Sequence, residues 1–254
     1  MSLLGKMEQT QDREYRDFTS LLSGERVSLP YSGEYENPAY QSGASSIVHG
    51  YDIGGTLASA QNRDIAIREI LGLEDGEDIK SSLFVDSDVT RRVSTAQEEG
   101  IKTGKIKVDA LDGVVEQLSE ERDKGEDRAL VTVGTYQMAR SFIYGAGLED
   151  YVTALTTSEE AGTGNQKTVE MFVDVYERLK ERGKTMKTYC DDSERDAKAA
   201  VEASKIIEER YDDGFTIFLV KRDAEDEEVG LNQDGYIVIR SIRDKSQFVG
   251  LENE

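Results

Sequence analysis

From Arg128 onward the chain alternates short apolar runs with amphipathic stretches, and this rhythm limits the folds open to it more than any other feature. Arg128 to Val133 (RALVTV) is closed by Gly134, and TYQMARSFIYGAGLEDY then reads as a helix ending at Gly145 or Gly147. Thr153 to Thr157, Lys187 to Cys190, Phe215 to Val220 and Tyr236 to Ser241 read as further strands, with helices over Thr168 to Arg182 and Ala197 to Glu209. Such strand-helix repeats imply a parallel sheet with helices on both faces. Reactive groups in these sheets gather beyond the carboxyl ends of the strands.

One more strand end stands out upstream. The β-prone run Ser46-Ile47-Val48 leads into His49 to Ala58 (HGYDIGGTLA), which sets Asp52 at the mouth of a strand just before a Gly-Gly-Thr turn. Gly54 and Gly55 let the backbone turn sharply and approach a ligand. A carboxylate so placed is suited to act as a nucleophile or to bind a metal. Asp52, Thr132, Asp191 and Asp192 all fall at strand ends and are expected to converge.

Residues 1–44 are polar and hold both prolines, Pro30 and Pro38; they read as a poorly ordered or loosely packed arm with a short helix around Tyr15 to Leu22. Gln61 to Leu71 (QNRDIAIREIL) carries Ile65, Ile67, Ile70 and Leu71 at helical spacing, and Val108 to Ser119 repeats that pattern. The expected division is therefore an arm over 1–44, a core over 45–58 and 108–254, and a helical insertion over 59–107.

Charge and composition remove several function classes. With 52 acidic against 31 basic residues, the net charge is −21, a field that repels nucleic acid and anionic membrane. The acidic shell matches that of salt-adapted (halophilic) cytoplasmic proteins. Cys190 is the single cysteine, so no intrachain disulfide forms, and the single histidine, His49, excludes a His-rich metal site. His49 reads as a structural histidine, Cys190 as a small buried strand residue, and Tyr136, Tyr144 and Tyr151 as packing residues. No apolar stretch has the length of a signal peptide or of a membrane span, and a cytoplasmic protein is expected.

From Ser45 to Val249 the chain resembles the haloacid-dehalogenase-like (HAD-like) hydrolase superfamily. That family's first motif, Asp-x-Asp-Gly-Thr, is matched by Asp52-Ile53-Gly54-Gly55-Thr56; its second, an apolar strand ending in Ser or Thr, by Leu130-Val131-Thr132. Its lysine before a later helix is matched by Lys167 in GTGNQKT, and its acidic turn, Gly-Asp-x-x-x-Asp, by Asp192 and Asp196 in YCDDSERDAKAA, with Asp191 where glycine is common. The resemblance implies a three-layer α/β/α Rossmann-like core, with a small helical cap inserted after the first motif. It implies a Mg²⁺-dependent phosphohydrolase of a small phosphorylated metabolite, with Asp52 attacking phosphorus to give an aspartyl-phosphate. Thr132 and Lys167 would hold phosphate oxygens, and Gly55, Thr56, Val133 and Gly134 would line the substrate. Asp52, the Gly54 carbonyl and Asp192 would hold the cation, which Asp191 or Asp196 would orient.

Gly54 departs from the family pattern. Glycine still offers a carbonyl to a metal but cannot give the leaving group a proton, a loss worth about 10² to 10⁴ in rate. A hydrolase with weakened acid catalysis, a different reaction, or a catalytically impaired binding protein all remain open at this point. The sugar-kinase and actin-like ATPase fold is the rival by local letters, since its phosphate loop reads Asp-x-Gly-Gly-Thr; it requires a β-hairpin after the loop, where Gln61 to Leu71 has helical spacing. Arg91, Arg92, Lys102, Lys105 and Lys107 read as a solvated basic face or, alternatively, as contacts to an anionic substrate.

Overall fold

The computed structural model describes residues 15–22, 26–30, 45–73 and 86–248. Its strands are β1 (Tyr15–Ser20), β2 (Arg26–Pro30), β3 (Ile47–Tyr51), β4 (Ala58–Gln61), β5 (Lys107–Ala110), β6 (Asp127–Thr132), β7 (Ala154–Thr157), β8 (Thr185–Asp191), β9 (Thr216–Val220), β10 (Gly230–Leu231) and β11 (Ile237–Ile239). Its α-helices are α1 (Arg63–Leu71), α2 (Ser87–Lys102), α3 (Val114–Asp123), α4 (Tyr136–Gly145), α5 (Ser158–Ala161), α6 (Val169–Glu181) and α7 (Glu194–Tyr211).

Nine strands form one sheet in the order β10-β11-β9-β8-β3-β6-β7-β1-β2. The seven from β11 to β1 run parallel, while β10 and β2 are antiparallel edges. Alternating side chains of the central strands feed two cores. Tyr51, Leu130 and Cys190 join α3 and α4 on one face, while Val48, Val131 and Tyr189 join α6 and α7 on the other. This is the covering of both faces that a parallel sheet requires. The chain leaves β3 toward β6 and β7 and later returns to β8 on the opposite side, so the order reverses beside β3. Ligand crevices form where such a reversal leaves strand ends uncovered.

Two local readings are corrected. Tyr15–Ser20 is a strand and not a helix; it pairs with β2 and, in parallel, with β7, so tertiary pairing decides a segment rich in β-prone Tyr, Phe and Thr. Residues 1–14, 23–25 and 31–44 of that segment lie outside the described residues. Val108 to Ser119 is not one helix: β5 pairs with β4 through Ala110, and α3 starts only after Gly113, whose φ of 78° suits glycine. The β4–β5 ribbon is the stem through which the segment between them leaves and re-enters; the ribbon packs on α4, and α2 packs on both α1 and α4. No described helix is long and apolar enough to cross a membrane.

Beneath the sheet, Lys245 reaches Glu121 and Tyr51, and all three are buried. Burial alone raises a carboxyl pKa, yet Lys245, with the hydrogen bonds that it and Tyr51 donate, outweighs it and holds Glu121 below its usual value. Lys245→Met leaves that carboxylate buried without its cation, so thermal melts should show a loss of about 3–5 kcal/mol. His49 lies 2.8 Å from Thr188 Oγ1 and 3.1 Å from Glu126 Oε2, and burial, followed by Lys245, lowers its pKa. It is a neutral structural residue, and it does not line the cavity described next.

Candidate active site

The carboxyl ends of β3, β6 and β8 open onto a cavity of about 420 Å³ that Asp52, Gly54, Thr132, Val133, Lys167, Asp191, Asp192 and Asp196 help to line. Asp52 follows β3 directly, and its N–H donates to Cys190 O at 2.9 Å, which ties the strand end to β8. Lys167 enters from the loop before α6, where the Thr168 side chain caps the helix by accepting from Met171 N. Its Nζ donates to Asp52 Oδ1 and to Asp191 Oδ2, each at 2.6 Å, and stands 3.8 Å from Asp196 Oδ2. Asp191 is also held by the Tyr189 hydroxyl at 2.6 Å and by Ser193 N–H at 2.9 Å.

One carboxylate oxygen each from Asp52, Asp191 and Asp192 lie within 4.8 Å of one another. An all-oxygen set of this kind suits a hard divalent cation with ligands at about 2.0–2.6 Å. Asp196 accepts from Arg195 Nε through Oδ1 at 2.8 Å, while its Oδ2 is the atom near Lys167. Burial raises the Asp52 pKa to about 7, Lys167 opposes the rise and Asp191 adds to it. Asp192 is likewise raised, by burial and then by Asp191. Negative charge thus exceeds what Lys167 neutralises, and a cation at these three carboxylates would relieve it.

Gly55, Thr56 and Gly134, expected to line the substrate, do not line the cavity. Gly134 N–H donates to Ser158 Oγ at 3.0 Å. Thr56 is buried with its hydroxyl 3.5 Å from Asp192 Oδ1, and Arg222 donates to the Gly55 and Thr56 carbonyls at 3.3 and 3.1 Å. Gly55 has φ 78°, and a Cβ there would stand 2.0 Å from Asp192 Oδ2. Gly54 is exposed, and a Cβ on it meets nothing within 4 Å. Gly55→Ala should therefore cost about 1–3 kcal/mol, whereas Gly54→Ala should change stability by less than about 1 kcal/mol; thermal melts separate the two.

Two residues that sequence reasoning passed over also line the cavity, Arg63 of α1 and Gln97 of α2. The basic residues it did single out, Arg91, Arg92, Lys102, Lys105 and Lys107, are exposed. Four of them pair with carboxylates: Arg91 with Asp88, Lys102 with Glu98, Lys105 with Glu69 and Lys107 with Asp109.

No family model and no curated protein matches the sequence. Solved structures do match the fold. A hydrolase from Pseudomonas syringae aligns with a TM-score of 0.53 at 13% identity, covering 80% of this chain and 99% of that one. CbbY from Rhodobacter sphaeroides in complex with phosphate gives 0.50 at 12%, over 71% and 89%. YfnB from Bacillus subtilis, described as a HAD hydrolase bound to magnesium, gives 0.50 at 15%, over 79% and 97%. Together with the parallel sheet and its order, these likenesses give the chain the α/β Rossmann-like fold of the HAD-like hydrolases, not the actin-like one.

Proposed function

We propose that this protein is a Mg²⁺-dependent phosphohydrolase of small phosphorylated metabolites, with Asp52 as the phosphoryl acceptor. The observation that carries the reading is the position of Asp52: a strand-end carboxylate 2.6 Å from Lys167 and within 4.8 Å of oxygens of both Asp191 and Asp192. Asp52, Asp191 and Asp192 would hold the cation, with the Gly54 carbonyl beside them. When bound, Mg²⁺ offsets the charge of the carboxylates and of the substrate phosphate, which otherwise repel.

In the reaction, Lys167 engages Asp52 Oδ1 and leaves Oδ2 as the attacking atom. A bond forms from Oδ2 to phosphorus as the bond from phosphorus to the leaving oxygen breaks. Thr132, at the end of β6, and Lys167 steady the phosphoryl oxygens. Water then attacks phosphorus, phosphate departs, and the Asp52 carboxylate is restored. The leaving oxygen needs a proton, and neither Gly54 nor the distant His49 supplies one. Good leaving groups are therefore favoured: with saturating Mg²⁺, aryl phosphates should release phosphate measurably and alkyl phosphates about 10²- to 10⁴-fold more slowly. Failure of both classes, with Mg²⁺ still bound, would favour a binding protein instead.

Lys167 is the counter-charge to two buried carboxylates. Lys167→Met should end turnover and cost the metal-free protein about 3–5 kcal/mol, with saturating Mg²⁺ restoring part of that loss. Melts of the variant at several Mg²⁺ concentrations check it.

A further inference from the structure

Arg63 and Gln97 reach the catalytic cavity from the inserted helices, and the chemistry above uses neither. Gln97 is buried, and its Nε2 donates to Met138 O at 2.9 Å and to Ser141 Oγ at 3.0 Å, both on α4. With the amide hydrogens so engaged, Gln97 Oε1 is fixed as an acceptor for Arg63 Nε at 2.7 Å. The remaining edge of the guanidinium has a weak partner: Nη1 lies 3.4 Å from Asp64, whose side chain is 60% exposed. Water screens such a pair. The Arg63 side chain itself is 32% exposed, and burial lowers its pKa, with Asp64 only partly opposing the change.

The second arginine of the wall differs. Arg195 is neutralised by Asp196 at 2.8 Å. Arg63 is thus a partly desolvated cation, positioned from behind, on the wall of a cavity of about 420 Å³, a size suited to a small molecule. A planar guanidinium fork favours a group with two oxygens in one plane. The same cavity wall carries the apolar side chains of Ile53, Met138, Ala139 and Phe142.

We propose that Arg63 is a specificity-determining residue that binds a second oxyanion of the phosphorylated substrate, a carboxylate or a second phosphate, with Gln97 as its positioning residue. The apolar wall suits a short hydrocarbon spacer, so the substrate class is phosphorylated short-chain hydroxy acids or small bisphosphates. This rests on the phosphohydrolase reading, in which the first phosphate sits at Asp52.

Calorimetric titration with non-hydrolysable probes in saturating Mg²⁺ tests the assignment. Propylphosphonate carries one anionic group; 3-phosphonopropionate adds a carboxylate and propane-1,3-bisphosphonate adds a second phosphonate. The wild type should bind one of the latter two about 10- to 100-fold more tightly than propylphosphonate, and which of them names the second anion. Arg63→Gln should remove the preference while leaving propylphosphonate binding unchanged. Arg63→Lys should keep part of it, and Gln97→Leu should weaken it. Equal binding of the three probes by the wild type overturns the assignment, as does a preference that survives Arg63→Gln or a loss of propylphosphonate binding in that variant. Binding of no probe by the wild type overturns the phosphohydrolase reading on which the assignment rests.

Discussion

Asp52→Asn should abolish phosphate release, by at least about 10⁴-fold, and at the same time make the metal-free protein more stable. The first effect follows from the proposed role of Asp52 as the attacking carboxylate. The second follows from its surroundings: burial and Asp191 raise the Asp52 pKa from an ordinary 3.8 to about 7. Between those values the folded state holds a proton that the unfolded state has released. The stabilising contribution is therefore complete below about pH 4 and is lost as pH rises through about 7. At pH 8 the wild type carries the full cost of an ionised Asp52, and the amide does not. The expected gain is about 2–4 kcal/mol, or about 2–4 °C per kcal/mol for a chain of this size. Melts at pH 5 and pH 8 without Mg²⁺ check it: the gap between variant and wild type should be wide at pH 8 and narrow at pH 5. Saturating Mg²⁺ should favour the wild type and close the gap at pH 8. A variant less stable than the wild type in metal-free buffer at pH 8 would show that Asp52 is not under electrostatic strain.

Gly54→Asp carries the second large effect. The position is exposed, its backbone lies outside the positive-φ region, and an added Cβ meets nothing within 4 Å, so the backbone and the first carbon of a side chain are accommodated without a clash. Gly54 supplies no acid where the family pattern has an aspartate, and His49 is held by Thr188 and Glu126 and does not line the cavity. An aspartic acid there can protonate a departing alkoxide. Alkyl-phosphate turnover should rise about 10²- to 10⁴-fold, while aryl-phosphate turnover changes little. Steady-state kinetics with one substrate of each class decides it. Equal gains on both classes would point to a change in Mg²⁺ binding, and no gain on alkyl phosphates would mean that proton supply is not what limits the enzyme.

The strand-helix alternation was legible because apolar runs such as Leu130-Val131 and Phe218-Leu219 record burial on both sheet faces, which is a local property. Asp52, Thr132 and Asp192 were legible because strand ends and glycine turns are also local signals, and Lys167 through the family resemblance; all four line one cavity. What escaped depends on pairing between distant segments. Tyr15–Ser20 is a strand only because β2 and β7 flank it, and Lys107–Ala110 only because β4 does. Arg63 and Gln97 face the cavity through the packing of α1, α2 and α4, and nothing in QNRDIAIREIL distinguishes Arg63 from Arg68. Asp191 reads as a substitution for glycine; its grip on Lys167 and Tyr189 exists only once β8 lies beside β3.

The central claim is that Asp52 carries the phosphoryl group. Acid quenching during turnover of an activated aryl phosphate in saturating Mg²⁺, followed by peptide mass analysis, tests it most directly. The account predicts one added phosphoryl group on the peptide containing Asp52 in the wild type and none in Asp52→Asn, with phosphate release lost in step. Phosphate release by Asp52→Asn at the wild-type rate, or a phosphoryl group on any other residue, would contradict it.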